Sequence, residues 1–396
     1  MSSSNLVEVT VIEETTYGET PVAGDFETAR FTSEALSGTP ETTESQQIRT
    51  DRLSSGQIVT GLTVGGDISF EVAKETALDL FFKSAMQNEW VASAPITEDL
   101  TIDATAKTIT RSAGDFTAQV RVGDTIILDG FVAAANNVEV TVARIDSALI
   151  ITYVGPTTGL VDEAGSGTTF QVADYLEIGI TKKSLSVQKR FLDLTQKAII
   201  YKGMVASDLD LNVAWGEIVT GSVSLSGSEY DPVDASGDFI TDGRTVNPAG
   251  TTQSLNGSVD MPYVGVEGVG ILDGVTFCIQ SVGITLGNNL TAQNCIGKAA
   301  ANDFSLGTGQ VGVTLSSYLA DQNWDFLGKK LTQEPFAMAF QIKNADGWYS
   351  FFMPAVQVSF DDPASAGQNQ DVIMSMEGQA KVGALGESSL RIYRSA

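Results

Sequence analysis

The groups that most often do chemistry in a protein are scarce in this sequence. Its 396 residues include no histidine. That removes the commonest general base, the usual Ser-His-Asp relay and the commonest zinc ligand. Paired carboxylates could still serve as acid and base, as in glycoside hydrolysis, but among 49 Asp and Glu residues a pairing arises by chance. Asp361-Asp362 and Asp231-Pro-Val-Asp234 offer oxygens to a divalent cation. Neither has the spacing of a helix–loop–helix calcium site, and a solvated turn is the simpler reading. Gly265-Val-Glu-Gly268 does not open a helix after a strand and no lysine follows, so no phosphate loop is indicated. Cys278 and Cys295 are too few for a disulfide framework or structural zinc, and are expected as reduced, buried, small apolar residues. Trp215, Trp324 and the Trp348-Tyr349…Phe351-Phe352 cluster present stacking faces for a sugar, yet such clusters more often form core or subunit interface. The expectation is no catalytic site, no cofactor and no metal.

The elements that would position any site are strands. Many short Val/Ile/Thr/Ser runs are broken by Gly, Asp and Asn, and 39 glycines stand against 10 prolines. No apolar run approaches the roughly 18–20 residues that cross a bilayer. Met1-Ser-Ser-Ser-Asn5 lacks the basic and apolar parts of a signal peptide, so folding in the cytoplasm is expected. The net charge of −26 is dispersed along the chain. Phosphate binders gather basic patches, so ordinary affinity for DNA or RNA is disfavoured. Acidity that keeps an abundant protein soluble and acidity that lets DNA slide past without sticking both fit.

A first strand is expected at Leu6–Glu13. Residues 29–60 are polar and read either as a long loop ordered by a partner or as an exposed hairpin. From Val64 to Val72 the pattern alternates: Val64, Ile68, Phe70 and Val72 against Asp67, Ser69 and Glu71. A helix follows, with Leu78, Phe81, Phe82 and Ala85 on one stripe. Residues 96–173 change texture, with short strands at Thr108–Ser112, Asp124–Leu128, Val138–Ile145 and Leu149–Val154 and turns at Gly123-Asp124, Asp129-Gly130 and Asn136-Asn137. Strands resume at Leu176–Val187, Ala198–Val205, Leu209–Ala214 and Ile218–Ser226. Leu209, Leu211 and Val213 oppose Asp208, Asp210 and Asn212, while Val219, Val223 and Leu225 oppose Thr220, Ser222 and Ser224.

The second half repeats this grammar. Gly309–Ser316 alternates, and a helix-like stretch follows with Leu319, Trp324, Phe326, Leu327 and Leu331 as core candidates. Strands then come at Phe336–Lys343, Gly347–Met353, Val356–Phe360 and Val372–Gln379. The chain is therefore read as mainly β: two copies of a β-sandwich with a flanking helix, plus a small all-β insert. The first copy is split over residues 1–95 and 177–245. The insert covers 96–176 and the second copy 246–396.

In the second half, Val282–Gly287 (VGITLG), Gly309–Leu331, Phe352-Met-Pro-Ala-Val-Gln-Val-Ser359 and Gly386-Glu-Ser-Ser-Leu-Arg-Ile-Tyr393 stand in a fixed order along the chain. In the first half, Phe191–Val205, Leu209–Val213 and Glu217–Gly227 do the same. In these segments the chain resembles the tail tube (major tail) proteins of long, noncontractile-tailed bacteriophages. The resemblance covers most of 5–95 and 177–396, while the insert looks like small β-modules of phage tail proteins. The resemblance implies a structural subunit of the virion tail, assembled in the host cytoplasm, whose strands contribute to a ring-shaped β-barrel. Rings stack head to tail around an acidic lumen that conducts DNA without binding it, and the tape-measure protein, also an implied partner, passes through the same lumen. Tail-tip and terminator proteins are the implied partners, with DNA only in transit and no membrane. Two units per chain make a trimeric pseudo-hexamer, and one unit per chain a true hexamer.

On this reading Asp67, Ser69, Glu71, Asp208, Asp210, Asn212, Thr220, Ser222 and Ser224 face the lumen. The segment 31–55, with Glu41, Glu44, Gln46, Arg49, Asp51 and Arg52, is an inter-ring arm that orders against the next ring. The insert projects outward, and its deletion is expected to leave tube formation intact. The competing reading is a bacterial surface or matrix β-protein whose insert binds carbohydrate or adheres. An enzyme with paired carboxylates is a distant third.

Overall fold

The computed structural model describes residues 3–48, 50–51, 53, 56–155, 159–194, 197–233, 246–255, 263–265, 274–275, 278–364, 367–383 and 386–395. The protein is mainly β, as its alternating runs require. The first half opens with β1 (Val7–Glu13), β2 (Phe26–Ala29), β3 (Ser33–Glu34), β4 (Ser37–Glu44), β5 (Gln57–Glu71) and helix α1 (Thr76–Met86). A second body follows: β6 (Ile96–Glu98), β7 (Leu100–Asp103), β8 (Thr108–Arg111), α2 (Phe116–Gln119), β9 (Thr125–Asp129), β10 (Glu139–Ile145), β11 (Ile150–Val154), β12 (Glu163–Ala164) and β13 (Thr168–Val172). The chain returns through β14 (Asp174–Glu177), β15 (Leu185–Phe191), β16 (Lys197–Ala214), β17 (Thr220–Gly227), β18 (Glu229–Val233), β19 (Val246–Asn247), β20 (Tyr263–Gly265) and β21 (Gly274–Val275). It ends with β22 (Ile279–Gly287), β23 (Thr291–Gln293), β24 (Asp303–Ser305), β25 (Gln310–Tyr318), α3 (Phe326–Thr332), β26 (Phe336–Lys343), β27 (Trp348–Ser359), β28 (Ile373–Ala380) and β29 (Arg391–Arg394).

Two stretches of chain build the same strand order. In the first, β15 pairs with β16, β16 with β17 and β17 with β5, all antiparallel. In the second, β26 pairs with β27, β27 with β28 and β28 with β25. A helix follows β5 and another follows β25, burying Phe81 and Phe326 respectively. The two stretches join where Asp208–Ala214 of β16 pairs with Ser281–Gly287 of β22, which in turn borders β25. The order β4-β5-β17-β16-β22-β25-β28 is thus one continuous sheet, and its dry side, with α1, carries the main core.

Several elements differ from their sequence reading for identifiable reasons. Ala198–Val205 and Leu209–Ala214 are one long strand, because irregularities near Met204 and between Ala206 and Asp208 bend it instead of ending it. Gly203 sits there at φ +64°, a left-handed conformation suited to glycine. The buried Glu14 carboxylate clamps the bend, accepting from Gly203 N, Gly18 N, Ser184 Oγ and Ser186 Oγ at 2.7–2.8 Å. Gly347–Met353 and Val356–Phe360 likewise merge into β27, with Pro354 at the register shift against β26, where a missing N–H is tolerated. Of the two readings of residues 29–60, the structure shows the hairpin, β4 against β5. Trp324 and Leu331, expected in the core, are exposed at 59% and 81%: Trp324 lies in the turn before α3, and that seven-residue helix buries only Phe326 and Lys329. Cys278 and Cys295 are free but exposed, not buried, since both lie at or beyond strand ends.

Residues 96–173 form a separate eight-stranded antiparallel sheet with the order β12-β7-β8-β11-β10-β9-β13-β6. A short helix, α2, interrupts it where none was expected; Asp115 caps it by accepting from Thr117 N at 2.8 Å. Its core is Ile109, Phe116, Ile126, Val142, Ile151, Phe170 and their neighbours, and that core runs on into Ala337, Ala339, Trp348, Phe352 and Tyr393 of the second half. Asp124, 2% exposed, accepts from Tyr393 Oη at 2.7 Å and lies 3.3 Å from the fully buried Arg391 guanidinium. The attachment is a packed, ion-paired interface, which the expectation of a freely deletable insert did not include.

Candidate functional site

The sheet that joins the two halves has one polar face. Along each strand successive side chains point to opposite sides, and the registers stack the polar ones in rows. One row runs Asp67, Ser224, Asp208, Gly287 and Gln310. The next runs Ser69, Ser222, Asp210, Thr285, Gly312 and Gln379. A third runs Glu71, Thr220, Asn212, Gly283, Thr314 and Glu377. Beneath them Ile68, Val223, Leu209, Leu286 and Val311 are buried.

All nine first-half residues singled out from the sequence as lumen-facing therefore lie together on this face. Asp67, Asp208, Asp210, Asn212 and Thr220 are exposed, and Ser69, Glu71, Ser222 and Ser224 are half-buried. Sequence reasoning missed their continuation in the second half: Thr285, Gln310, Thr314, Glu377 and Gln379, all exposed. The signal was present in VGITLG and in the alternation of residues 373–380, but only the edge pairing of β16 with β22 shows that the two patterns share one face. No Lys or Arg occurs in β5, β17, β22, β25, β28 or the Asp208–Ala214 part of β16.

Glycine makes the close packing of the face possible. A side chain at Gly66 would meet the Ala35 carbonyl oxygen at 2.2 Å, where β5 runs under the β3–β4 connection. At Gly283 a Cβ would meet Thr314 Oγ1 at 2.4 Å.

The field on the face is anionic. Burial pushes the Asp210 carboxyl above its ordinary range, and the neighbouring Asp208 and Asp67 push it the same way. A carboxyl raised in the folded state contributes stability below its unfolded pKa, and that contribution is lost as pH rises through the folded one. Asp210→Asn should therefore raise the melting temperature of the unassembled chain slightly at neutral pH, with the gain vanishing in acid. Thermal melts across pH check this, and a variant that melts lower at neutral pH refutes the repulsion account.

The arm residues are separate from this face. Glu41, Glu44, Gln46 and Asp51 are exposed on or beyond the β4–β5 hairpin, with Ile48 and Leu53 also exposed; Arg49 and Arg52 lie outside the described residues, as do Asp234 and Val266-Glu267-Gly268. Asp361 and Asp362 are exposed, and Asp362 pairs with Lys330. Trp348, Tyr349, Phe351 and Phe352 are core, whereas Trp215 is 77% exposed. Among the described residues no group of three Asp, Glu or Cys is placed to hold a metal, and no helix is long and apolar enough to cross a membrane.

The described residues define a mainly-β protein whose joined sheet has one dry face and one wet, anionic face. Over residues 4–380 the chain matches the family model described as phage tail tube protein, and it belongs to that family. Membership places it in the virion tail, as a structural protein that assembles into stacked tubes. No curated protein matches its sequence closely enough to stand as a relative.

Proposed function

We propose that this chain is the ring-forming subunit of the tail tube and that the polar sheet face lines the bore. The observation that carries the reading is a six-strand face bearing Asp67, Glu71, Asp208, Asp210 and Glu377 with no basic residue among them. Such a wall repels phosphate, so DNA passes without counterion-releasing contacts. The tape-measure protein occupies the same bore before ejection. Tail-tip and terminator proteins start and stop the stack, and assembly takes place in the host cytoplasm. No step in this role requires a catalytic group.

Each chain supplies two tail-tube units, 1–95 with 177–245 and 246–396, so three chains make a pseudo-hexameric ring. The matched strand orders of the two halves support this count over a true hexamer. The segment 31–55 reaches the next ring as an arm, with Ile48 and Leu53 as its apolar contacts, and residues 96–176 sit on the outer wall. Negative-stain microscopy of the purified chain across concentration, with light scattering, tests the reading. Hollow tubes of regular axial repeat are expected. A monomer at every concentration, even when seeded with tail tips, rejects it, and a reconstruction with Asp67 and Asp210 on the outer wall rejects the lumen assignment.

A further inference from the structure

The insert grows from one half of the chain and rests on the other. It leaves after α1 and returns at β15, both first-half elements, whereas only residues 333–335 separate α3 from β26 at the matching point of the second half. Its return leg, β14, pairs antiparallel with β29 of the second half, from Asp174 opposite Arg394 to Glu177 opposite Arg391. The outgoing leg is stitched to β14, since Val91 and Tyr175 exchange backbone hydrogen bonds of 2.8 and 3.1 Å. The Gly123 turn of the insert lies against Phe352, so closely that a Cβ there would overlap the ring. At the margin of this contact Lys343 Nζ donates to Glu139 at 2.8 Å.

Two further ties cross between the halves beside the root of the insert. Asp79 of α1 is buried and accepts from Tyr349 Oη at 2.8 Å and from Arg394 Nη1 at 2.7 Å, both second-half groups. Arg394 also covers the Trp90 ring, 4.3 Å from its centroid. Residues 246–255, which lead from the first half towards the second, hold on to both. Thr252 Oγ1 donates to Lys74 O at 3.1 Å, and Gln253 N donates to Asp346 Oδ2 at 2.8 Å. Leu255 is fully buried, its backbone bonded to Val72 and Val219.

The β16–β22 ladder by itself would not fix the angle between the halves, because neighbouring strands twist over a range of roughly −10 to −35°. A close-packed contact has one geometry and transmits strain instead of yielding to it. The insert supplies such a contact, with the Asp124–Arg391 pair buried inside it. The contact is built once per chain. β18 lies against β16 as β29 lies against β27. Beyond β29 stands β14, but among the described residues no strand pairs with the far side of β18.

We propose that residues 96–176 act as a brace within the chain. By laying β14 and the Gly123-Asp124 turn on the second tail-tube unit, they lock the angle between that unit and the first. The chain then reaches the ring as a rigid two-unit arc whose curvature is set before assembly, and closure has only the seams between chains to adjust. The inference rests on the two-unit reading, and its test does not depend on tubes forming.

Pulsed electron spin resonance between two labels tests it. In a Cys278→Ser, Cys295→Ser background, Glu19→Cys in the first unit and Asp371→Cys in the second carry the labels; both positions are exposed. The expected result is a single narrow distance in the unassembled chain, unchanged when tubes form. A broad distribution that narrows only on assembly overturns the proposal, because the ring would then set the angle. Gly123→Val, which drives the insert off Phe352, should widen the distribution about twofold as the range of strand twist opens to the seam, and should give tubes of mixed diameter. A folded Gly123→Val chain that keeps the narrow distance also overturns the brace. If that variant does not fold, Lys343→Glu combined with Arg394→Gln, both at partly exposed margins of the contact, is read in the same way. A narrow distance in a chain that never forms tubes, widened by these substitutions, leaves the brace standing and removes the tube reading alone.

Discussion

Replacing Asp124 by alanine is expected to cost the folded protein about 3–5 kcal/mol, the usual loss when one partner of a buried ion pair is removed. Arg391 has no exposed side-chain surface, and its guanidinium lies 3.3 Å from Asp124 and 2.8 Å from Glu177. Without Asp124 the cation keeps only the more exposed Glu177, and the Tyr393 hydroxyl, itself fully buried, loses its 2.7 Å acceptor. The loss is read from denaturant unfolding followed by near-ultraviolet dichroism, which reports the packing of Tyr393 and Trp348. A loss below about 0.5 kcal/mol, the level of an ordinary surface change, would mean that the pair is solvated in solution and the two bodies are only loosely joined.

The same interface governs what happens when residues 96–176 are removed. Ala337, Ala339, Trp348, Phe352 and Tyr393 would lose their cover and Arg391 its partner. Clean excision is therefore expected to give an aggregation-prone chain. Excision combined with polar replacement of Trp348 and Phe352 and neutralisation of Arg391 separates folding from assembly. If that repaired chain forms tubes, the outer body is dispensable for the tube even though it is not dispensable for an otherwise unchanged chain.

Much of the fold was legible because its strands are amphipathic at period two. Asp67, Ser69 and Glu71 against Ile68 and Phe70 could be read directly, as could the helix stripe through Phe81 and Phe82. Bends were less legible. Residues 206–208 and Pro354 read as breaks between strands, but bulges let β16 and β27 continue through them. Trp324 and Leu331 look like core by composition, yet Trp324 falls in the turn before a helix of only seven residues, and that helix turns Leu331 outward. The cysteines were misplaced for the same reason: general residue preference stood in for position. The second-half part of the polar face was hidden because joining two alternating runs into one surface requires a long-range register, and β16–β22 spans most of a domain in sequence. The Asp124–Arg391 pair left no local signal at all, its members being separated by 267 residues.

Reversing three charges on the polar face tests the tube reading where its physical content is greatest. Asp67→Lys lies on β5 and Asp208→Lys and Asp210→Lys on β16, the two strands that flank β17, with Asp67 and Asp208 both opposite Ser224. Repeated around each ring and along the stack, they would turn a repelling wall into a basic sleeve. DNA in such a sleeve exchanges condensed counterions for lysines, and non-specific affinity at physiological salt enters the range of roughly 10⁻⁴–10⁻⁶ M per site. Because the sites lie in series, transit slows even if each contact is weak. The expected result is tubes of unchanged diameter, particles that package normally, and DNA ejection that is slow at physiological salt and speeds up as salt is raised. Reversing the exposed acids Glu19, Asp25 and Asp325, which lie outside the polar strands, changes net charge equally and should leave ejection unaffected. Equal slowing by both sets would assign the effect to overall charge. No slowing by the first set, in tubes that assemble, would mean that the β5-β17-β16 face is not the surface DNA passes, and the wet side of the sheet would then have to be the one that meets solvent.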